Sequence, residues 1–131
     1  MTRGRPRAVL VVDDEPLIRW ALSEALRTAG YDVLEAGDTV GTVAAIGLSG
    51  DRIAAVLLDL RLPDCSDLTL LRTVRGMVKV PIILMTAHGS LELAHAALDA
   101  GAERVVFKPF DIERMVAAVE NAGHAGLGEA D

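Results

Sequence analysis

The sequence predicts an α/β domain: a doubly wound, five-stranded parallel sheet with five helices shared between its two faces. Three observations carry this. Apolar runs of strand length recur at 8–12, 32–36, 53–58, 80–85 and 104–107, and most are continuous rather than alternating, as strands buried on both faces must be. Between and after them lie stretches such as Ile18, Ala21, Leu22, Ala25, Leu26 and Ile112, Met115, Val116, Val119, each an apolar stripe of helical spacing. Successive strands start roughly 20 to 30 residues apart, the repeat of β-α units joined by right-handed crossovers, and there are too few of them for an eightfold barrel.

Each element has a local justification. Ala8-Val9-Leu10-Val11-Val12 is the first strand, and Asp13-Asp14-Glu15-Pro16 opens a helix with Asp14 as candidate N-cap. That helix should stop at Gly30. The second strand ends in Glu35-Ala36 and leads to a helix capped by Asp38 and closed at Gly50. The third strand, 53–58, precedes a helix capped by Ser66 or Asp67 and closed at Gly76. The fourth, Val80-Pro81-Ile82-Ile83-Leu84-Met85, precedes one capped by Ser90 and closed at Gly101. The fifth, 104–107, precedes one capped by Asp111 and closed at Gly123. Glycine is expected at such ends because it adopts the left-handed conformation without steric cost.

A chain of 131 residues holds about one domain, with no room for a separate catalytic lobe. Hydrophobic residues make up 51% and charged residues 24%, with a mean hydropathy of +0.35, which suits one packed core and excludes disordered composition. The longest uninterrupted apolar runs, Ala8–Val12 and Ile53–Leu58, are far short of the roughly 20 residues of a membrane helix, so no membrane association is expected. The single cysteine, Cys65, excludes an internal disulfide and fits a reducing, cytoplasmic setting. Net charge is −6, yet Arg3, Arg5 and Arg7 lie in the first seven residues; from Ala8 onward 10 basic residues face 19 acidic ones. So acidic a body repels phosphate backbones, and no direct nucleic-acid binding is expected. The chain divides into a basic N-terminal tail (1–7), the domain (8–123) and a glycine-rich tail or start of a linker (124–131).

Ligands of doubly wound sheets bind beyond the carboxyl ends of the strands, where chain order reverses. The first strand is followed by Asp13 and Asp14, the third by Asp59, and the fourth and fifth end at Thr86 and Lys108. In the order 2-1-3-4-5 the first and third strands are neighbours, and three carboxylates converge in one crevice. Like charges so close raise one another's pKa, and a divalent cation is the natural remedy. An all-oxygen, water-accessible site with few carboxylates suits Mg²⁺, while a hydroxyl and an ammonium suit phosphoryl oxygens. Alone, each residue also fits a plain role: a helix cap for Asp13 or Asp14, a loop aspartate for Asp59, a β-branched strand residue for Thr86, a solvated charge for Lys108. Their joint placement on four strand ends favours phosphoryl chemistry on a carboxylate.

Over residues 8–122 the chain resembles the receiver domains of two-component response regulators, a family with the flavodoxin-like sheet order 2-1-3-4-5. The resemblance rests on Leu10-Val11-Val12-Asp13-Asp14-Glu15, Leu57-Leu58-Asp59-Leu60-Arg61-Leu62-Pro63, Met85-Thr86-Ala87-His88 and Phe107-Lys108-Pro109-Phe110-Asp111. Ile18-Arg19-Trp20 and Met85-Thr86-Ala87-His88 look most like the nitrogen-regulation (NtrC) type of sigma54 activator. The resemblance implies that Asp59 accepts a phosphoryl group from a sensor histidine kinase. It implies Mg²⁺ ligation by Asp13, Asp14, Asp59 and the backbone carbonyl of Arg61, phosphoryl binding by Thr86 and Lys108, and a cis Lys108-Pro109 bond. It also implies a chain that assists its own phosphorylation without being an enzyme in the usual sense. Phosphorylation would switch the fourth helix, fifth strand and fifth helix, controlling an output domain, in most relatives a transcriptional one, or an effector protein, and the same face offers a possible homodimer contact.

One position departs from the family: three residues before the lysine, where a switch aromatic is usual, stands Val105. The alternative reading is therefore a pseudo-receiver, an interaction module not regulated by phosphorylation. Arg61 and His88 are placed at the rim of the site, His95 and Asp99 on a solvated helix face, and Trp20 beside Glu24 and Arg27 as a surface residue or partner contact. A haloacid-dehalogenase-type phosphatase would need Asp-x-Asp where the acids here are adjacent. A flavin carrier would need a phosphate loop that Asp13-Asp14-Glu15 would repel.

Overall fold

A computed structural model describes residues 7–122. The elements alternate as predicted: β1 (Ala8–Val12), α1 (Pro16–Thr28), β2 (Asp32–Ala36), α2 (Thr39–Ser49), β3 (Ile53–Asp59), α3 (Thr69–Met77), β4 (Ile82–Thr86), α4 (Leu91–Asp99), β5 (Arg104–Phe107) and α5 (Ile112–Asn121). The strands form one sheet in the order β2-β1-β3-β4-β5, and every pairing is parallel. β4 begins two residues later than the apolar run because Pro81 has no N–H to give the ladder; its carbonyl still accepts from Val56 N–H at 3.0 Å.

Strand alternation divides the core into two layers. Leu10, Val12, Val56, Leu58, Ile82 and Leu84 pack with α2, α3 and α4 residues such as Ile46, Leu71 and Ala97. Val9, Val11, Leu57, Ile83 and Met85 pack with Leu22, Leu26, Met115 and Val119 of α1 and α5. The central strands are buried end to end, while the edge strands β2 and β5 are only partly covered. A register shift between Ala8 and Val9 pairs Ala8 with Ile53 but Val9 with Ala55, so Ile53 joins the first layer and Ala55 the second.

The local expectations divide cleanly. Asp38, Ser90 and Asp111 cap α2, α4 and α5, accepting from Gly41, Leu93 and Glu113 N–H. The expected cap at Asp14 is corrected: Glu15 occupies that position without a side-chain bond, and Asp13 Oδ1 accepts the Glu15 N–H at 2.9 Å instead. Before α3, Leu68 holds the cap position, and Asp67 reaches past it to accept from Thr69 N–H. Gly30 and Gly101 close helices at φ of +101° and +116°. Gly50 does not, because the chain continues into a short 3₁₀ turn over Gly50–Arg52, and Gly76 lies inside α3. Gly123 and the tails fall outside the described residues except for Arg7, which donates to Gly30 O at 2.6 Å and lies over the Tyr31 ring. Among the described residues no helix is long and apolar enough to cross a membrane.

Candidate functional site

The carboxyl ends of β1, β3, β4 and β5 meet over a cleft of about 670 Å³. Asp13 leaves β1 fully buried, held by the turn into α1, and Asp59 ends β3 at 4% exposure. Asp14, one residue on, is exposed. One carboxylate oxygen from each of the three lies within 4.8 Å of the others. A hard cation with bonds of about 2.1 Å separates opposite ligands by about 4.2 Å, so the acidic cluster fits a divalent ion after small side-chain rotations. Asp14 supports that fit, since its carboxylate has no hydrogen-bond or ion-pair partner among the described residues.

Lys108 is not a solvated charge. Its side chain is 13% exposed, and Nζ lies 3.0 Å from Asp13 Oδ2, 3.2 Å from Glu15 Oε1 and 3.3 Å from Asp59 Oδ2. The ammonium thus occupies the centre of the acidic cluster. Burial alone would press its pKa down, but the Asp13 hydrogen bond and the Asp59 and Asp13 charges outweigh that and raise it. Asp59 shows the opposing balance: burial and the Asp13 charge push its carboxyl up, Lys108 and the Arg61 N–H pull it back, and it rests at about 6. The Lys108-Pro109 peptide is cis.

Thr86 is wholly buried at the end of β4, and its Oγ1 accepts the backbone N–H of His88 at 3.1 Å, tying the hydroxyl to the loop before α4. Lys108 N–H donates to Thr86 O at 2.8 Å, so hydroxyl and ammonium are set by adjoining strand ends. Arg61 N–H donates to Asp59 Oδ1 at 3.2 Å, and Arg61 and Ala87 line the cleft. His88, His95 and Asp99 are exposed as expected, and Trp20, 62% exposed, lines an α1–α5 groove with Glu24.

Three features escaped the sequence reading. Glu15, counted only as part of the acidic run, is a direct partner of Lys108. Arg19 NH1 donates to the backbone carbonyl of Asp13 at 2.6 Å. Val105 packs against the α2–α4 layer, but an aromatic stands two residues further on: Phe107, paired with Thr86 across the sheet, lies so close over Gly89 that a Cβ there would sit 2.0 Å from its ring. Only Glu15 had a local signal, its place directly after the acid pair.

Comparison with known proteins agrees with this geometry. The response regulator receiver domain family matches residues 9–120. The probable transcriptional regulatory protein TcrX of Mycobacterium tuberculosis is 41% identical, covering 86% of this chain and 48% of its own. The DNA-binding transcriptional regulator NtrC of Salmonella typhimurium is 39% identical over 93% of this chain and 25% of its own, so the nitrogen-regulation type is one of several similar kinds. The chain spans about half the length of the first curated relatives it matches. Among solved structures, the signal receiver domain of a putative Luxo repressor protein from Vibrio parahaemolyticus superposes with a TM-score of 0.82 at 26% identity, covering 95% of each chain. A receiver match over nearly the whole chain, on a sheet whose strand ends gather these acids and this lysine, leaves one assignment: the chain belongs to the response regulator receiver domain family of two-component systems.

Proposed function

We propose that this chain is a phosphorylation switch in which Asp59 is the phosphoacceptor. The observation that carries the reading is the contact of buried Asp59 with Lys108 at 3.3 Å on the floor of an open cleft beside two further acids. The Asp59 carboxylate attacks phosphorus in line, a new O–P bond forming as the N–P bond of a sensor kinase phosphohistidine breaks and its imidazole leaves. When Mg²⁺ is bound by Asp13, Asp14, Asp59 and the backbone carbonyl of Arg61, it offsets repulsion between the anionic nucleophile and donor. Lys108 exchanges a carboxylate oxygen of Asp59 for a phosphoryl oxygen, and the Thr86 hydroxyl turns toward another. Because that hydroxyl also holds His88 N–H, the new group, with a charge of about −1.5 to −2, pulls on the loop leading into α4.

The readout follows from that loop, through α4, β5 and α5, to an output domain or effector protein, with transcription control suggested by the relatives, or to a second copy on the same face. The chain assists its own phosphoryl transfer and is not a turnover enzyme, and a cytoplasmic setting fits its reduced cysteine. Intact mass after incubation with a small acyl-phosphate donor tests the reading: one phosphoryl adduct, dependent on Mg²⁺ and lost in Asp59→Ala. An adduct indifferent to Asp59, or none, would overturn it and leave an interaction module that kept the fold without the chemistry.

A further inference from the structure

We infer that Arg19 is a positioning residue for the acidic pair, setting the orientation of the Asp13–Asp14 peptide and through it the strength with which the cluster holds a divalent cation. The inference rests on the phosphoacceptor reading above. Arg19 lies one turn into α1, and its guanidinium bridges two strand ends. NH1 donates to Asp13 O at 2.6 Å, and Nε donates to Glu35 Oε1 at 3.1 Å near the end of β2. Glu35 is held in turn by Arg27 at 3.5 Å.

The carbonyl that Arg19 grips belongs to the peptide joining Asp13 to Asp14. Asp13 N–H is fixed to Ala36 O at 3.1 Å, and its carboxylate to Glu15 N–H and Lys108, so Asp13 is restrained at every polar group. Asp14 has no side-chain partner among the described residues, and its carboxylate is aimed by its backbone alone. Arg19 supplies the restraint on that backbone. Gly37 makes room for it: a Cβ at that position would sit 3.2 Å from Arg19 NH1 and 3.9 Å from the Asp14 Cα. Only arginine's fork spans a carbonyl and a carboxylate at once. Groups that orient metal ligands typically cost 10–100-fold in affinity when removed.

The test is Mg²⁺ affinity by calorimetry, with thermal unfolding recorded alongside, on the native chain, Arg19→Ala, Arg19→Lys and Arg27→Ala. Arg19→Ala is expected to weaken Mg²⁺ binding about tenfold at a temperature where it remains folded, with Arg19→Lys recovering part of the loss. Arg27→Ala breaks the same surface network without touching the site backbone, and its affinity should stay within about twofold of native. A lower melting temperature with unchanged Mg²⁺ affinity in Arg19→Ala would overturn the inference, as would equal losses in Arg19→Ala and Arg27→Ala. A native chain that binds no Mg²⁺ would overturn the phosphoacceptor reading itself, and the inference with it.

Discussion

At the scale of residues, Asp59 carries its charge against its surroundings. Its unfolded-state pKa is near the ordinary 3.8, and in the fold, burial first and the Asp13 charge second raise it to about 6. Between these values the native state binds more protons than the unfolded chain, so stability falls as pH rises from about 4 through about 6 and then levels. At pH 8 the penalty is up to about 3 kcal/mol. Asp59→Asn should therefore be more stable than the native chain at pH 8 in metal-free buffer, and should lose that advantage at pH 4, as read by urea unfolding at both values. An equal difference at the two pH values would contradict the raised pKa.

At the scale of elements, two glycines make opposite predictions. Gly101 ends α4 at φ +116°, where a Cβ would lie 2.5 Å from Arg75 Cδ. Arg75 in turn donates to the carbonyls of Gly101 and Val78 at 3.1 Å and to that of Val80, pinning the end of α3 to the turn before β5. Gly101→Ala should cost about 1–3 kcal/mol. Gly47 lies within α2 with nothing within 4 Å of its added Cβ, and Gly47→Ala should stabilise by about 0.5–1 kcal/mol. Melting temperatures moving in the same direction would refute this account of the two sites.

The same elements show what local sequence encodes. Asp38, Ser90 and Asp111 were legible as caps because the bonds they make lie within three residues. Gly50 and Gly76 were not legible as non-caps. Whether a helix runs past a glycine depends on what its next turn packs against, and α3 keeps Val74 buried one turn before Met77 ends it.

At the scale of the whole molecule, the sheet separates two apolar layers, and neighbouring residues of β3 serve different ones. Leu57 faces α1 and α5, and Leu58 faces α2, α3 and α4. Leu57→Ala and Leu58→Ala should each cost about 2–5 kcal/mol by denaturant unfolding. If either were tolerated at under about 1 kcal/mol, the sheet would not be covered on both faces.

The sequence by itself determined the five strands and five helices and the roster of site residues Asp13, Asp14, Asp59, Thr86 and Lys108, because apolar period and strand-end position are written in neighbouring residues. Only the tertiary structure decided how those residues meet. Lys108 reaches Asp59 across 49 residues and Asp13 across 95, Glu15 and Arg19 enter the site, and Phe107 comes to rest over Gly89. Burial, charge and hydrogen bonding act through space, so the pKa of Asp59 and the aim of Asp14 exist only once four strand ends have been brought together by the sheet.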